Sequence, residues 1–168
     1  MKRIFPLLFT LIFVLIACNS HSEDNLFNSA SEKYKANDFS GAVSDYDRII
    51  NDYPNGKHAE ESYFAAAAMY QMNKIQGMSK EESSHKAIDY FKRYLKQFPK
   101  NDKSPKALFL IGFINANDLH QYDSAKVYYG EFLKRFPENV LAESVKMELV
   151  NLGKTPDEII GQAESAKK

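Results

Sequence analysis

The side chains able to do chemistry in this 168-residue chain are few, and their spacing argues against a reaction centre. The one cysteine, Cys18, cannot close an intramolecular disulfide and belongs to no Cys/His pattern of the kind that holds zinc. His21, His58, His85 and His120 are scattered through a tether, a helix start and turns, where a solvated ring is the ordinary outcome. No His-Glu-x-x-His helix, Gly-x-Ser-x-Gly elbow or glycine-rich phosphate loop occurs. The carboxylates of Glu60, Glu61, Glu81, Glu82, Asp157 and Glu158 fall near expected helix starts, where negative charge favours the helix dipole. Catalysis, a bound metal and a cofactor are therefore not expected. The chemistry that remains is at Cys18.

Lys2 and Arg3 precede a thirteen-residue apolar stretch, 4–16, which ends in Leu15-Ile16-Ala17-Cys18. Thirteen residues fall short of the roughly twenty needed to span a bilayer but suit the core of a signal peptide. The Leu-Ile-Ala-Cys run resembles the bacterial lipobox. That resemblance implies cleavage before Cys18 and a diacylglyceryl thioether on its sulfur, which would hold the mature chain to a membrane. Residues 1–17 are then a signal peptide, and 18–25 a polar tether beginning at the lipidated Cys18. Its seven residues after the cysteine reach at most about 25 Å when extended. Asn19 in the place after the cysteine resembles the outer-membrane sorting pattern, so the expected site is the outer membrane, facing the periplasm. Ser22-Glu23-Asp24 also resembles surface-export signals, which leaves display at the cell surface as the alternative.

The elements that follow are helical. One thirteen-residue phrase appears three times: AVSDYDRIINDYP from Ala42, AIDYFKRYLKQFP from Ala87, and AKVYYGEFLKRFP from Ala125. Each has a small residue, an aromatic four places on (Tyr46, Phe91, Tyr129), a bulky residue three further (Ile49, Tyr94, Phe132), and a closing aromatic-Pro pair. The 4-then-3 spacing is one face of an α-helix, and the proline stops it. Partner helices are expected before each phrase, giving helices over about 25–36, 40–51, 57–74, 80–97, 104–117, a sixth capped by Asp123 and ending before Pro137, and 141–152. Asn37-Asp38 reads as a turn, and Gly77 as a helix stop. Ser79 to Glu82 and Thr155 to Glu158 read as capping boxes, and Ser104-Pro105 as an N-cap followed by a proline at the first helical position. Pro54 to Pro99 spans 45 residues, an excess expected to lengthen both helices of the second hairpin. The 22 basic and 22 acidic residues cancel without long blocks of one sign, which disfavours nucleic acid as a partner.

Units of this kind are similar to the tetratricopeptide repeat (TPR). The matching residues are Ala30, Tyr34, Ala42, Tyr46 and Pro54; Ala66, Tyr70, Ala87, Phe91 and Pro99; and Gly112, Ala125, Tyr129 and Pro137. The early Trp of the family is replaced by Leu26, Ser62 and Leu108. The resemblance implies an all-α, TPR-type superhelix of about three helix-turn-helix repeats (26–56, 57–100, 104–138), a C-terminal capping helix at 141–152, and a short helix with a frayed tail over 153–168. It also implies a groove lined by the first helix of each unit, at Phe27, Ser31, Tyr34 and Lys35, then Glu60, Tyr63, Ala67, Tyr70 and Gln71, then Lys106, Phe109, Phe113 and Asn117. Rings with a few polar groups suit a bound peptide. The Asn pattern that clamps a C-terminal carboxylate is absent, since Ser31, Ala67 and Phe113 occupy those places. The Phe-Pro endings resemble two exported groups, the BamD-type lipoprotein of β-barrel assembly and the TolA-binding coordinator. The expected function is a non-enzymatic envelope scaffold for a protein or peptide partner; a peptidoglycan-linked coordinator and a self-assembling lipoprotein are the alternatives.

Overall fold

The computed structural model describes residues 22–165, which form eight helices and no strands. These are α1 (Glu23–Lys35), α2 (Phe39–Asp52), α3 (Ala59–Gln71), α4 (Lys80–Gln97), α5 (Ser104–Asn117), α6 (Tyr122–Arg135), α7 (Ala142–Asn151) and α8 (Pro156–Ser165). The expected signal peptide and Cys18 lie outside the described residues. Each helix from α1 to α7 packs chiefly on its neighbours in sequence, α1 on α2, α2 on α3, and so on to α6 on α7. That is the all-helical repeat architecture of the TPR type.

The repeated phrase forms the second helix of each hairpin, and its periodic residues make the core. Ala42, Ala87 and Ala125 are fully buried, as are Ile49, Tyr94 and Phe132 seven places on. The small residue lets the facing helix approach, while the large ones fill the space between hairpins. Each phrase ends alike: the amides of Tyr53, Phe98 and Phe136 donate to the carbonyls of Ile49, Tyr94 and Phe132 at 2.8–2.9 Å before the proline breaks the ladder.

The first helices of the hairpins end on a residue in the left-handed region: Asn37 (φ 61°), Asn73 (φ 50°) and His120 (φ 53°). After α1, the amides of Asn37 and Asp38 donate to the carbonyls of Tyr34 and Lys33; after α3, those of Asn73 and Lys74 donate to Tyr70 and Met69. Both are Schellman closures, in which asparagine tolerates the left-handed conformation.

Several boundaries differ from the sequence reading. The tether was expected to run to residue 25, but Ser22 accepts the Asn25 amide at 3.2 Å and starts α1 at Glu23. Asn73 closes α3 at Gln71, so Gly77 (φ 77°) is not its stop but a turn residue in the following loop. The extra length of the second hairpin therefore goes into residues 72–79 and α4 alone, which has 18 residues against 14 in α2 and α6. Its capping box forms as expected: Glu82 N donates to Ser79 Oγ at 3.2 Å and Ser79 N to Glu82 Oε2 at 2.9 Å. Ser104 does not cap α5; it is fully buried and its hydroxyl donates to the Phe98 carbonyl at 2.6 Å. Asp123 lies in the first turn of α6 without a capping bond. The Thr155 box forms, and α8 runs on through Gly161 to Ser165 rather than stopping at a short turn.

Candidate peptide-binding trough

The first helices α1, α3 and α5 leave two adjoining hollows between them. One, of about 460 Å³, is lined by Glu61, Phe64, Ala65, Ala68 and Gln71 of α3, Phe91 of α4, and Lys106 and Leu110 of α5. The other, of about 230 Å³, is lined by Tyr34, Tyr46, Ala65, Ala68, Met69 and Met72. Ala65 and Ala68 belong to both, so the hollows form one trough across the middle hairpin. The Ala65–Ala68 run explains the floor. Ala66 and Ala67 are fully buried against neighbouring helices, while Ala65 and Ala68 turn the other way and are half-buried. Four methyl side chains thus serve helix packing on one side and an open bed on the other.

The walls are apolar. Phe64 meets Phe91 edge-on at 5.4 Å and Tyr94 at 5.0 Å between ring centroids. Tyr34 stands edge-on to Phe39 at 5.5 Å and keeps 44% of its surface exposed, and Met72 keeps 49%. At the rim, Lys106 Nζ lies 5.6 Å from the Phe64 centroid, and Glu61 is exposed on the same margin. Burial raises the Tyr46 hydroxyl above its ordinary pKa, with Glu61 and Tyr34 adding to it. An apolar bed with one cation and one carboxylate at its rim can hold an apolar segment of a polypeptide and bias its direction.

The trough is one residue out of phase with the groove expected from sequence. Of the residues expected there, Tyr34, Gln71 and Lys106 line it. Tyr63 does not: it is buried, edge-on to Tyr94 and Phe98, with the Arg93 guanidinium over its ring at 5.7 Å. Ala67 is fully buried. Tyr70 is half-buried and stacks on Tyr90 at 5.6 Å. Phe27 is half-buried and stacks on the His58 ring at 4.0 Å. Glu60 accepts the Asn101 amide nitrogen at 2.7 Å, and Ser31 and Lys35 lie outside both hollows. Phe109 sits between Phe113 and Tyr129, at 6.0 and 6.1 Å. Asn117 lines a separate, more polar hollow of about 410 Å³ at the C-terminal end, with His120, Tyr122, Glu148 and Asn151. Glu61, Phe64, Ala65, Ala68, Met69, Met72 and Leu110 line the trough without having been expected there, as do Tyr46 and Phe91, which the pattern marked only as core. The run of four alanines carries no mark of which side stays open, so the pattern held no signal for them.

Among the described residues no helix is long and apolar enough to cross a membrane, and no cluster of His, Cys, Asp and Glu is placed to hold a metal ion. No curated protein matches the chain. The family of outer membrane lipoproteins named YfiO matches residues 19–155, which takes in the repeat hairpins, the trough and α7. With most of its length covered by that match, the chain belongs to the YfiO family of outer membrane lipoproteins.

Proposed function

We propose that this protein is a lipid-anchored scaffold of outer-membrane β-barrel assembly, holding a segment of a partner polypeptide in the trough between α1, α3 and α5. The family supports the outer-membrane assignment. The observation that carries the binding reading is the continuous apolar bed of Ala65 and Ala68, walled by Phe64, Leu110, Tyr34 and Met72. Small side chains at the floor let a partner chain approach the helix closely, and the walls held by ring packing, Phe64 and Tyr34, bind without ordering themselves first. A diacylglyceryl group on Cys18 keeps the trough at the periplasmic face of the outer membrane, where the effective concentration of membrane-bound partners is high.

A photoreactive group at Met72 in intact cells tests the reading. Crosslinks to subunits or substrates of barrel assembly are the expected product, and Ala68→Glu, which puts a charge on the apolar floor, removes them while the helical circular dichroism is retained. Crosslinks that persist in Ala68→Glu, or that never include a barrel-assembly component, refute it. Cys18→Ser separately tests the anchor: the variant keeps its signal peptide and gains no lipid, and normal membrane retention of an unlipidated chain counts against anchoring.

A further inference from the structure

The linkers between hairpins solve one problem in two ways. In Phe98-Pro99-Lys100-Asn101 and Phe136-Pro137-Glu138-Asn139, the asparagine turns its own side-chain oxygen onto the amide two residues on. Lys103 N donates to Asn101 Oδ1 at 2.9 Å, and Leu141 N to Asn139 Oδ1 at 3.0 Å. The first linker, Tyr53-Pro54-Asn55-Gly56, makes the same backbone turn. Its Gly56 amide donates to Tyr53 at 2.8 Å, as Asn101 and Asn139 do to Phe98 and Phe136 at 3.3 and 3.1 Å. At the asparagine position, however, it has glycine.

The missing acceptor comes from the first turn of α1. Glu23 Oε1, 35 residues away, accepts the His58 amide at 2.6 Å. Its carboxylate fills the space that a side chain at position 56 would take: a Cβ on Gly56 would overlap Glu23 Oε1. The neighbouring residues add to the grip. Asp24 Oδ1 lies 2.7 Å from Lys57 Nζ and 2.8 Å from His58 Nε2. The His58 ring lies flat on Phe27, 4.0 Å between centroids and 9° between planes. Asp24 and Lys57 are 54% and 64% exposed, so their ion pair contributes little. The weight rests on the Glu23 hydrogen bond and the ring stack.

Only three residues separate Cys18 from the helix cap Ser22. We propose that the first turn of α1 is a latch, fastened through Glu23 onto the Gly56–His58 linker, that couples the membrane anchor to the array and fixes the direction in which the array leaves the bilayer. The proposal rests on lipidation of Cys18. With the latch closed, the four residue steps from Cys18 to Ser22 reach about 14 Å, and the edge of the array bearing Pro54 to His58 stays beside the membrane. With the latch open, Leu26 keeps its place in the core and Phe27 its edge contact with Tyr46. Glu23 to Asn25 before them keep little besides the Ser22 cap and the exposed Asp24 pairs, and helix ends of that kind fray.

Gly56→Asn separates a latch from a mere cap. It supplies the acceptor from the linker itself, as Asn101 does, and displaces the Glu23 carboxylate. In the lipidated full-length mature chain in nanodiscs, hydrogen exchange and the anisotropy decay of a dye on Lys126→Cys give two readouts. Under the proposal, Gly56→Asn leaves the His58 amide protected, speeds exchange at Leu26 and Phe27 about five-fold, as for loss of a helix-end contact, and adds a fast component to the anisotropy decay. Glu23→Ala speeds exchange at all three amides and adds the same component. Glu23→Ala with Gly56→Asn restores His58 protection alone. Unchanged exchange at Leu26 and Phe27 in Gly56→Asn overturns the latch. Faster exchange without added motion of the dye overturns its role in direction. Failure of the chain to enter nanodiscs refutes the anchor, and with it the directional claim, while exchange in detergent still reports the latch by itself.

Discussion

Gly112 stands where the first two hairpins carry the fully buried Ala30 and Ala66, and the structure states what an alanine would cost there. A Cβ at position 112 would lie 2.5 Å from Tyr129 Cε1, 2.6 Å from Cδ1 and 3.2 Å from Cζ. Tyr129 is fully buried and backed by Phe109 at 6.1 Å, so its ring has nowhere to retreat without parting α5 from α6. Overpacking of this kind costs about 1–3 kcal/mol. Alanine returns up to about 1 kcal/mol over glycine in a helix interior. The clash should win, leaving Gly112→Ala less stable by about 1–2 kcal/mol, a fall in Tm of roughly 2–8 °C at this chain size. Thermal unfolding followed by circular dichroism measures it. A double-mutant cycle isolates the cause: in a Tyr129→Leu background the same Gly112→Ala change becomes neutral or stabilising, because only the helix preference remains. A Gly112→Ala variant that melts higher than the parent refutes the argument, since it would mean that the ring does not fill that space.

Three further outcomes follow from the same geometry. Asp45, 4% exposed, accepts Ser29 Oγ and Lys33 Nζ, each at 2.6 Å, across the α1–α2 contact; Asp45→Ala should cost about 1–3 kcal/mol in urea unfolding, and an unchanged midpoint rejects the role. Burial alone would raise the Asp45 pKa, but hydrogen bonds from Lys33 and Ser29 more than offset it and leave the carboxyl below its ordinary 3.8, while the Ser79 backbone and side chain lower Glu82 from 4.5. These groups stabilise the fold fully above their unfolded-state values and lose that contribution as pH falls through the lower folded ones; the urea midpoint should drop on acidification below about pH 4, and a flat profile contradicts the sign. Burial, with the Asp47 hydrogen bond, pushes Tyr90 up; burial with Glu60 nearby does so for Tyr94, and burial with Glu148 nearby for Tyr129. Their protonated forms support the fold up to the ordinary value of 10.0 and withdraw support above it, so native phenolate absorbance should leave these three unionised until the helices unfold.

The sequence made the repeated helices legible because each phrase carries its large residues on one stripe. Ile49, Tyr94 and Phe132 had to be core for the 4-then-3 spacing to make sense, and each is fully buried. The first helix of the middle hairpin offered no such stripe. A run of four alanines looks the same from every side, so Tyr63 and Tyr70 drew the groove toward themselves, while the bed formed on Ala65 and Ala68. Capping was legible where Ser or Thr is followed three residues on by Glu, as in Ser79 and Glu82. It was not where the partner lies 35 residues away, as with Glu23 and His58. Nor did the pattern show that Ser104 would turn to the Phe98 carbonyl, since a Ser-Pro pair at a helix start reads the same whether its hydroxyl faces out or in.

Because helices α1 to α7 rest chiefly on their neighbours in sequence, the chain needs no distant segment to begin folding. The entropic penalty of closing long loops is largely avoided, and topologies of this sort fold quickly for their size. A polypeptide delivered N-terminus first can therefore set its opening hairpin while the rest is still arriving, each later pair then docking on a surface already made. The same ordering sets where the array comes loose under stress: the distal end, where α8 adds little packing, goes first, and the middle hairpin, packed on both sides, outlasts it.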